Sequence, residues 1–361
     1  MSEETLVQEQ PAFDATKARL ISRRRFSLPQ WANAWIVLIP AMIFLVLFMF
    51  YPILNTFLMA FIQDFDFGRA AGSFALGNFF FSLGQTTKKV HQTFGFENFA
   101  LVLQDAVFPR TIWNTFVLVI IEVPLTIIIA LLIATFLNSI KALKGVFQTI
   151  FFLPYVTNSI ALGLVFTMLF SSGEGGIVNI VLNRLFGMEP VNWLKTFGIS
   201  NMAPATRYSQ LVVIVTSAVW NGIAFKILVF LSGLATIDKQ YYDAAKIDGS
   251  SNFTIWRRIT LPLLSPQILY ITITSFIGAF KMYTGVMSVY SSIAGSMNAS
   301  YYFGGDKGEE WMPIVGWIYR ILGTQTNTSK GVAAAGSLIL LAIILLITLL
   351  QFAVSKKRVH Y

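Results

Sequence analysis

Apolar positions along this chain come in long continuous runs separated by polar, Gly- or Pro-marked segments. Six runs, at about 35–60, 111–137, 146–170, 211–235, 262–288 and 332–354, each hold the roughly 20 predominantly apolar residues a helix needs to cross a bilayer. Lipid offers the backbone no hydrogen-bond partner, so each run predicts a helix. Continuous rather than alternating hydrophobicity argues against a membrane β-barrel. The fold class is therefore all-α membrane protein with six transmembrane helices. Prolines fall inside four of the runs, Pro40 and Pro52, Pro124, Pro154, and Pro262 with Pro266. Each removes a backbone bond and bends its helix, which either shapes the bundle or opens a hinge.

The charges between the runs set an orientation. Arg23, Arg24 and Arg25 precede the first run, Lys141 and Lys144 follow the second, and Lys239, Lys246, Arg257 and Arg258 lie between the fourth and fifth. Lys356, Lys357 and Arg358 end the chain. Basic residues concentrate on the cytoplasmic side, so six spans with both termini inside is the expected topology. The first run is too long for a signal-peptide core and reads as an uncleaved anchor. The expected organisation is a cytoplasmic tail over 1–30, a first transmembrane helix over 31–60, an extracytoplasmic segment over 61–110, a core of five spans over 111–354, and a cytoplasmic tail over 355–361. The 61–110 segment is rich in Phe and Gly, and Phe79, Phe80 and Phe81 suit either the membrane interface or a place under a partner.

The polar connection 238–260 is the most specific local pattern. Asp238 is a good N-cap, residues 239–248 make about three helical turns, and Gly249 suits a left-handed C-cap. Ala244 and Ala245 have no bulk and let this short helix lie close to a partner surface, to which Tyr241 and Tyr242 offer rigid contact area. Asn252 is placed to cap a second short helix bearing Trp256, Arg257 and Arg258, and Pro262 to open the next span.

Composition narrows the chemistry. Of 361 residues 55% are hydrophobic and 12% charged, against roughly a quarter charged in soluble domains, which supports the lipid bilayer as the surroundings. A formal charge of +9 with no aromatic-basic module reads as topology rather than nucleic-acid binding. The chain has no Cys, and its His residues are His91 and His360, so a disulfide scaffold, a thiolate nucleophile and a histidine metal site are not expected. There is no Gly-x-x-x-x-Gly-Lys-Ser/Thr loop to hold ATP. No enzyme activity, metal or bound cofactor is expected of this chain.

Asp243-Ala244-Ala245, Asp248-Gly249 and Ile259-Thr-Leu-Pro262 resemble the EAA loop of ABC-importer permeases, with Asp243 where that family usually has Glu. Other pieces resemble the carbohydrate-type branch, the maltose/glycerol-3-phosphate type, and its first permease of the pair. They are Phe94-Gly-Phe-Glu-Asn-Phe99, Trp220 with Phe225, Leu231-Ser-Gly-Leu234, Ile237-Asp-Lys-Gln-Tyr241, Phe280-Lys281 and Gly331-Val-Ala-Ala-Ala-Gly-Ser337. Gly304-Gly305-Asp306 departs from the family's external T-x-GGP piece, and 61–93 reads as an insertion of about 30 residues. The resemblance implies the type I importer permease fold with a cytoplasmic EAA-type coupling helix in a bacterial or archaeal inner membrane. It also implies a second homologous permease, two copies of a cytoplasmic ATPase carrying ATP and Mg, an extracytoplasmic solute-binding protein, and a sugar substrate. The ATPase-coupling residues would be Tyr241, Tyr242, Asp243, Ala244, Ala245, Asp248, Gly249, Trp256 and Pro262.

In this branch solute contacts come from the spans before and after the loop, where Trp220, Gly222, Phe225, Ser275, Gly278 and Met282 stand; ordinary helix packing is the other reading of the same residues. Charges inside spans are costly and tend to face a cavity or a partner. Glu122, Lys226 and Lys281 are such charges. Glu122 with Lys226 suits either a register-fixing ion pair or a substrate-facing pair, and Lys281 suits snorkelling. The other function class is a stand-alone secondary carrier that uses Glu122 and Lys226 as an ion relay.

Overall fold

The computed structural model describes residues 29–62, 94–140, 144–173, 175–194, 206–294, 311–324 and 327–355. The arginines at 23–25, the segment 63–93 with Phe79–Phe81 and His91, Lys141, Gly304-Gly305-Asp306, and the basic C-terminal tail with His360 lie outside them. The chain divides into two compact units, one ending at Thr56 and the other beginning at Phe57. Every candidate functional residue falls in the second.

The first run forms α1, which begins as Gln30–Leu45, passes through a π-helical turn at Val46–Phe50 and ends as Tyr51–Phe61. Its 28-residue stretch Ala34–Phe61 is apolar and long enough to cross a bilayer. The π turn ends two residues before Pro52. Proline lacks the N–H and crowds the carbonyl four residues back, which favours the wider turn.

Five further runs give α3 (Phe108–Ser139), the pair α4 (Lys144–Val156) and α5 (Ser159–Leu169), α7 (Arg207–Thr236), α10 (Ser265–Phe280) and α13 (Asn327–Ser355). The connections hold α2 (Glu97–Gln104), α6 (Ile177–Phe186), α11 (Thr284–Ala294) and α12 (Ile314–Gly323). They also hold the polar hairpin, α8 (Lys239–Ile247) and α9, which runs as Asn252–Ile255, a π turn Trp256–Thr260, and Leu261–Leu263.

Among the described residues four helices, α1, α3, α7 and α13, are each long and apolar enough to cross a membrane. Two bent pairs bring the number to six when each counts as one crossing: α4 with α5, bent by 102°, and α9 with α10, bent by 65°. The run 146–170 is therefore two helices. Asn158 accepts a hydrogen bond from the Ile160 amide at 2.8 Å and starts the second after the chain turns. The run 262–288 is also interrupted, because α10 stops at Phe280 and α11 starts at Thr284.

α3 and α7 make the most extensive helix pair, and α10 packs on α3 and α13. One core lies between α3 and α7, with Leu118, Ala130, Ile223, Ile227, Phe230 and Ile271 among its buried members. A second joins α3 to α12 and α13 around Phe108, Trp317, Met312 and Ala335. Two of the sequence pieces meet here. Asn98 at the start of α2 donates through Nδ2 to the carbonyls of Met59, Ala60 and Ile62 at 3.3, 3.1 and 3.0 Å, closing orphan carbonyls at the end of α1. A side chain at Gly331 on α13 would lie 2.6 Å from the same Nδ2. α2 was not legible as a helix in the 61–110 segment.

Candidate functional site

The hairpin is built from local rules. Asp238 stands in extended geometry before α8 and its carboxylate accepts from the Gln240 amide at 3.0 Å. At the other end Gly249 has φ +73, its amide donates to the Lys246 carbonyl at 3.1 Å, and the Ser250 amide donates to the Ala245 carbonyl at 3.0 Å. These two bonds make a Schellman end, which requires the left-handed residue that glycine supplies. The second helix is capped by Ser251, whose Oγ accepts from the Thr254 amide at 3.3 Å; Asn252, expected as the cap, is the first helical residue. Pro262 does not open the next span. It sits in the last turn of α9, two residues after a π turn, and the new helix starts at Ser265 with Pro266 in its first turn.

The residues grouped by sequence divide into two sets. Tyr242 is half-buried and its hydroxyl lies 3.3 Å from Thr260 Oγ1 on α9. Ala245 is buried. Trp256 donates through Nε1 to Thr135 Oγ1 of α3 at 3.3 Å and stacks with Phe253. These three fix the hairpin to itself and to the bundle. Tyr241, Asp243, Ala244, Asp248 and Gly249 are exposed. Tyr241, Ala244, Ala245 and Asp248, with Asp238, Gln240 and Ile259, line an open hollow of ≈ 500 Å³. Ile247 is 86% exposed and Phe253 67% exposed, and neither was singled out by sequence. Tyr241, Ala244 and Ile247 are spaced three apart and so share one helix face. The signal available was a bulky apolar residue at that spacing in an otherwise polar helix.

The residues of the adjoining spans separate as well. Phe225 of α7 stacks with Tyr155 of α4 at 6.0 Å, and both it and Trp220 are exposed. Gly222 turns instead toward α3. A Cβ there would lie 3.1 Å from Lys226 Nζ, 3.3 Å from Thr126 Cγ2 and 3.8 Å from Glu122 Oε1. Gly222 and Phe225, three positions apart on α7, thus meet two different neighbouring helices. On α10, Ser275 is half-buried and Gly278 is exposed with nothing within 4 Å of a built Cβ. Met282 lies beyond the end of α10 and packs on the α3–α7 core. Lys281 is exposed at the C-cap of α10. Glu122 and Lys226, each only 8% exposed, come together between α3 and α7. Among the described residues no group of His, Cys, Asp or Glu is arranged to hold a metal ion.

Residues 122–360 match the family described as "Binding-protein-dependent transport system inner membrane component". The chain is 26% identical over 345 residues to a lactose transport system permease protein, LacF, of Rhizobium radiobacter, covering 95% of this chain and 99% of that one. It is 30% identical over 258 residues to an arabinooligosaccharides transport system permease protein, AraP, of Halalkalibacterium halodurans, covering 71% and 73%. Among solved structures it is similar to a bacterial alginate ABC transporter in complex with alginate pentasaccharide-bound periplasmic protein. The TM-score is 0.65 at 20% identity, over 90% of this chain and 94% of that one, a likeness of fold.

Proposed function

We propose, because this chain belongs to the family of binding-protein-dependent transport system inner membrane components, that it is the transmembrane permease subunit of an ATP-driven importer for a sugar or oligosaccharide. The observation that carries the reading is the α8–α9 hairpin. It is a short polar helix between two apolar ones, closed by Asp238 and Gly249, tied to α3 through Trp256, and left with an exposed Tyr241–Ala244–Ile247 face. The sugar class is supported by the names of the relatives, which transport lactose and arabinooligosaccharides. The stand-alone carrier gives way to this reading, since the family works with a binding protein.

In this account both termini and the hairpin are cytoplasmic, and 111–354 is the core of the permease. A second homologous permease completes the pore. Two ATPase copies carry ATP and Mg and close on ATP binding. Each pushes one hairpin, and the push enters the bundle through α7 directly and through α3 by way of Trp256. An external binding protein delivers the solute to the outward state, which the ATP-bound ATPases favour by binding it more tightly. Ser275 and Gly278 on α10, with Trp220 and Phe225 on α7, are the proposed solute-facing residues. Gly222 and Met282 serve packing.

The test is ATP turnover of the reconstituted complex in vesicles. Turnover should rise when binding protein loaded with a sugar is added, and should fall back to basal with Ile247→Glu. A complex of all the subunits that hydrolyses ATP at one rate with and without every sugar-loaded binding protein would contradict it.

A further inference from the structure

Two opposite charges lie buried in the α3–α7 interface, away from the hairpin. Glu122 is near the middle of α3 and Lys226 two-thirds along α7, and each is only 8% exposed. Val119 and Val123 on α3 and Ile223 and Ile227 on α7, three positions before and one after each charge, are buried and apolar. The two side chains converge on Gly222. Lys226 Nζ donates to the Gly222 carbonyl at 3.2 Å, and a Cβ on Gly222 would lie 3.1 Å from that Nζ and 3.8 Å from Glu122 Oε1. Thr126 Oγ1 donates to the Glu122 carbonyl at 2.6 Å, so the hydroxyl is engaged with the backbone. Glu122 Oε2 is buried and accepts no hydrogen bond.

A lone charge in such surroundings is heavily penalised, and an opposite charge beside it is what makes either one tolerable. The attraction falls off with separation, so it holds the two helices at one register: sliding by one turn, about 5.4 Å, would strand both groups. α7 is the helix that leads through Ile237 and Asp238 into α8. We propose that Glu122 and Lys226 are a positioning pair that latches α7 to α3, so that displacement of α8 moves the two helices as one body. This rests on the importer reading above. Gly222 belongs to the latch, because a side chain there would displace the ammonium or Thr126.

The experiment uses the complete reconstituted transporter with Glu122→Gln, Lys226→Met, the double Glu122→Gln/Lys226→Met, and the reversed pair Glu122→Lys/Lys226→Glu. Removing one partner strands the other, whereas removing both does not. Each single variant should lose about tenfold or more of solute-stimulated turnover while keeping basal hydrolysis, and the double should recover to within about threefold of wild type. The concentration of loaded binding protein giving half-maximal stimulation should not move. Effects that add in the double variant overturn the latch, and so does a rise in that concentration with maximal turnover unchanged, which would make the pair a solute contact. Where a single variant does not assemble, the thermal unfolding of the double and reversed variants decides: both as unstable as the singles would overturn the proposal. Failure of the importer reading shows separately, as a wild-type complex that no loaded binding protein stimulates, and the unfolding cycle still reads the pair.

Discussion

Single positions in this chain are constrained by space more than by chemistry, and the glycines show it. Gly249 needs its left-handed φ of +73, which costs a residue with a Cβ about 1–2 kcal/mol. Gly249→Val is expected to leave the far-UV circular dichroism of the purified chain unchanged and to cut stimulated ATP turnover by loosening the end of α8. Gly336 and Gly278 provide a contrasting pair. A Cβ on Gly336 would lie 2.6 Å from the Trp317 ring, whereas one on Gly278 would meet nothing within 4 Å. Gly336→Ala should therefore destabilise the protein by about 1–3 kcal/mol, read as a lower unfolding temperature in detergent. Gly278→Leu should leave that temperature unchanged and, under the solute-facing role proposed for it, weaken solute transport. Equal unfolding temperatures for the two variants would show that the two surroundings do not differ in this way.

Among the elements, the hairpin is the one whose parts were most fully legible. Its caps, its two short helices and its glycine end follow from side chains that compete for backbone hydrogen bonds within a few residues, and such local rules survive any tertiary context. What the pattern did not disclose was the division of labour. Tyr241 and Tyr242 are neighbours in sequence, yet one faces outward and the other reaches Thr260, because α8 turns 100° per residue and α9 packs on one side only. Trp256, which the pattern groups with the coupling residues, bonds Thr135, 121 positions away. Long-range contacts of this kind leave no periodic mark. Trp256→Phe keeps an aromatic side chain, smaller than the indole, and removes that bond, whose loss costs about 1 kcal/mol. The variant should assemble normally and show weaker coupling between ATP turnover and solute uptake, measured as solute moved per ATP. An unchanged ratio would show that the bond to α3 carries no push. The breaks within the apolar runs were equally hidden. Asn158 divides one run through a cap and Lys281 ends another, and neither interrupts hydropathy enough to be seen in a window of about 20 residues.

At the scale of the whole molecule, hydropathy located the six apolar regions, since lipid imposes the same requirement on each. It could not find α2, α6 and α12, which are too short to cross and take their stability from the bundle. The clustering of basic residues predicts one orientation for the assembly. The absence of Cys makes that orientation directly measurable. Asp243→Cys should react with a membrane-impermeant maleimide in inside-out vesicles and not in intact cells; the reverse would invert the topology. The same background permits the measurement that bears most directly on the central claim. Ile247→Cys would be labelled with a benzophenone maleimide in native membranes, irradiated, and its adducts identified by mass spectrometry. The account predicts a cross-link to an ATPase subunit carrying a phosphate-binding Gly-x-x-x-x-Gly-Lys-Ser/Thr loop, altered in yield by ATP and absent when the label is placed at Leu345 on the apolar face of α13. Adducts to lipid alone at both positions, in membranes where the complete transporter is active, would contradict it.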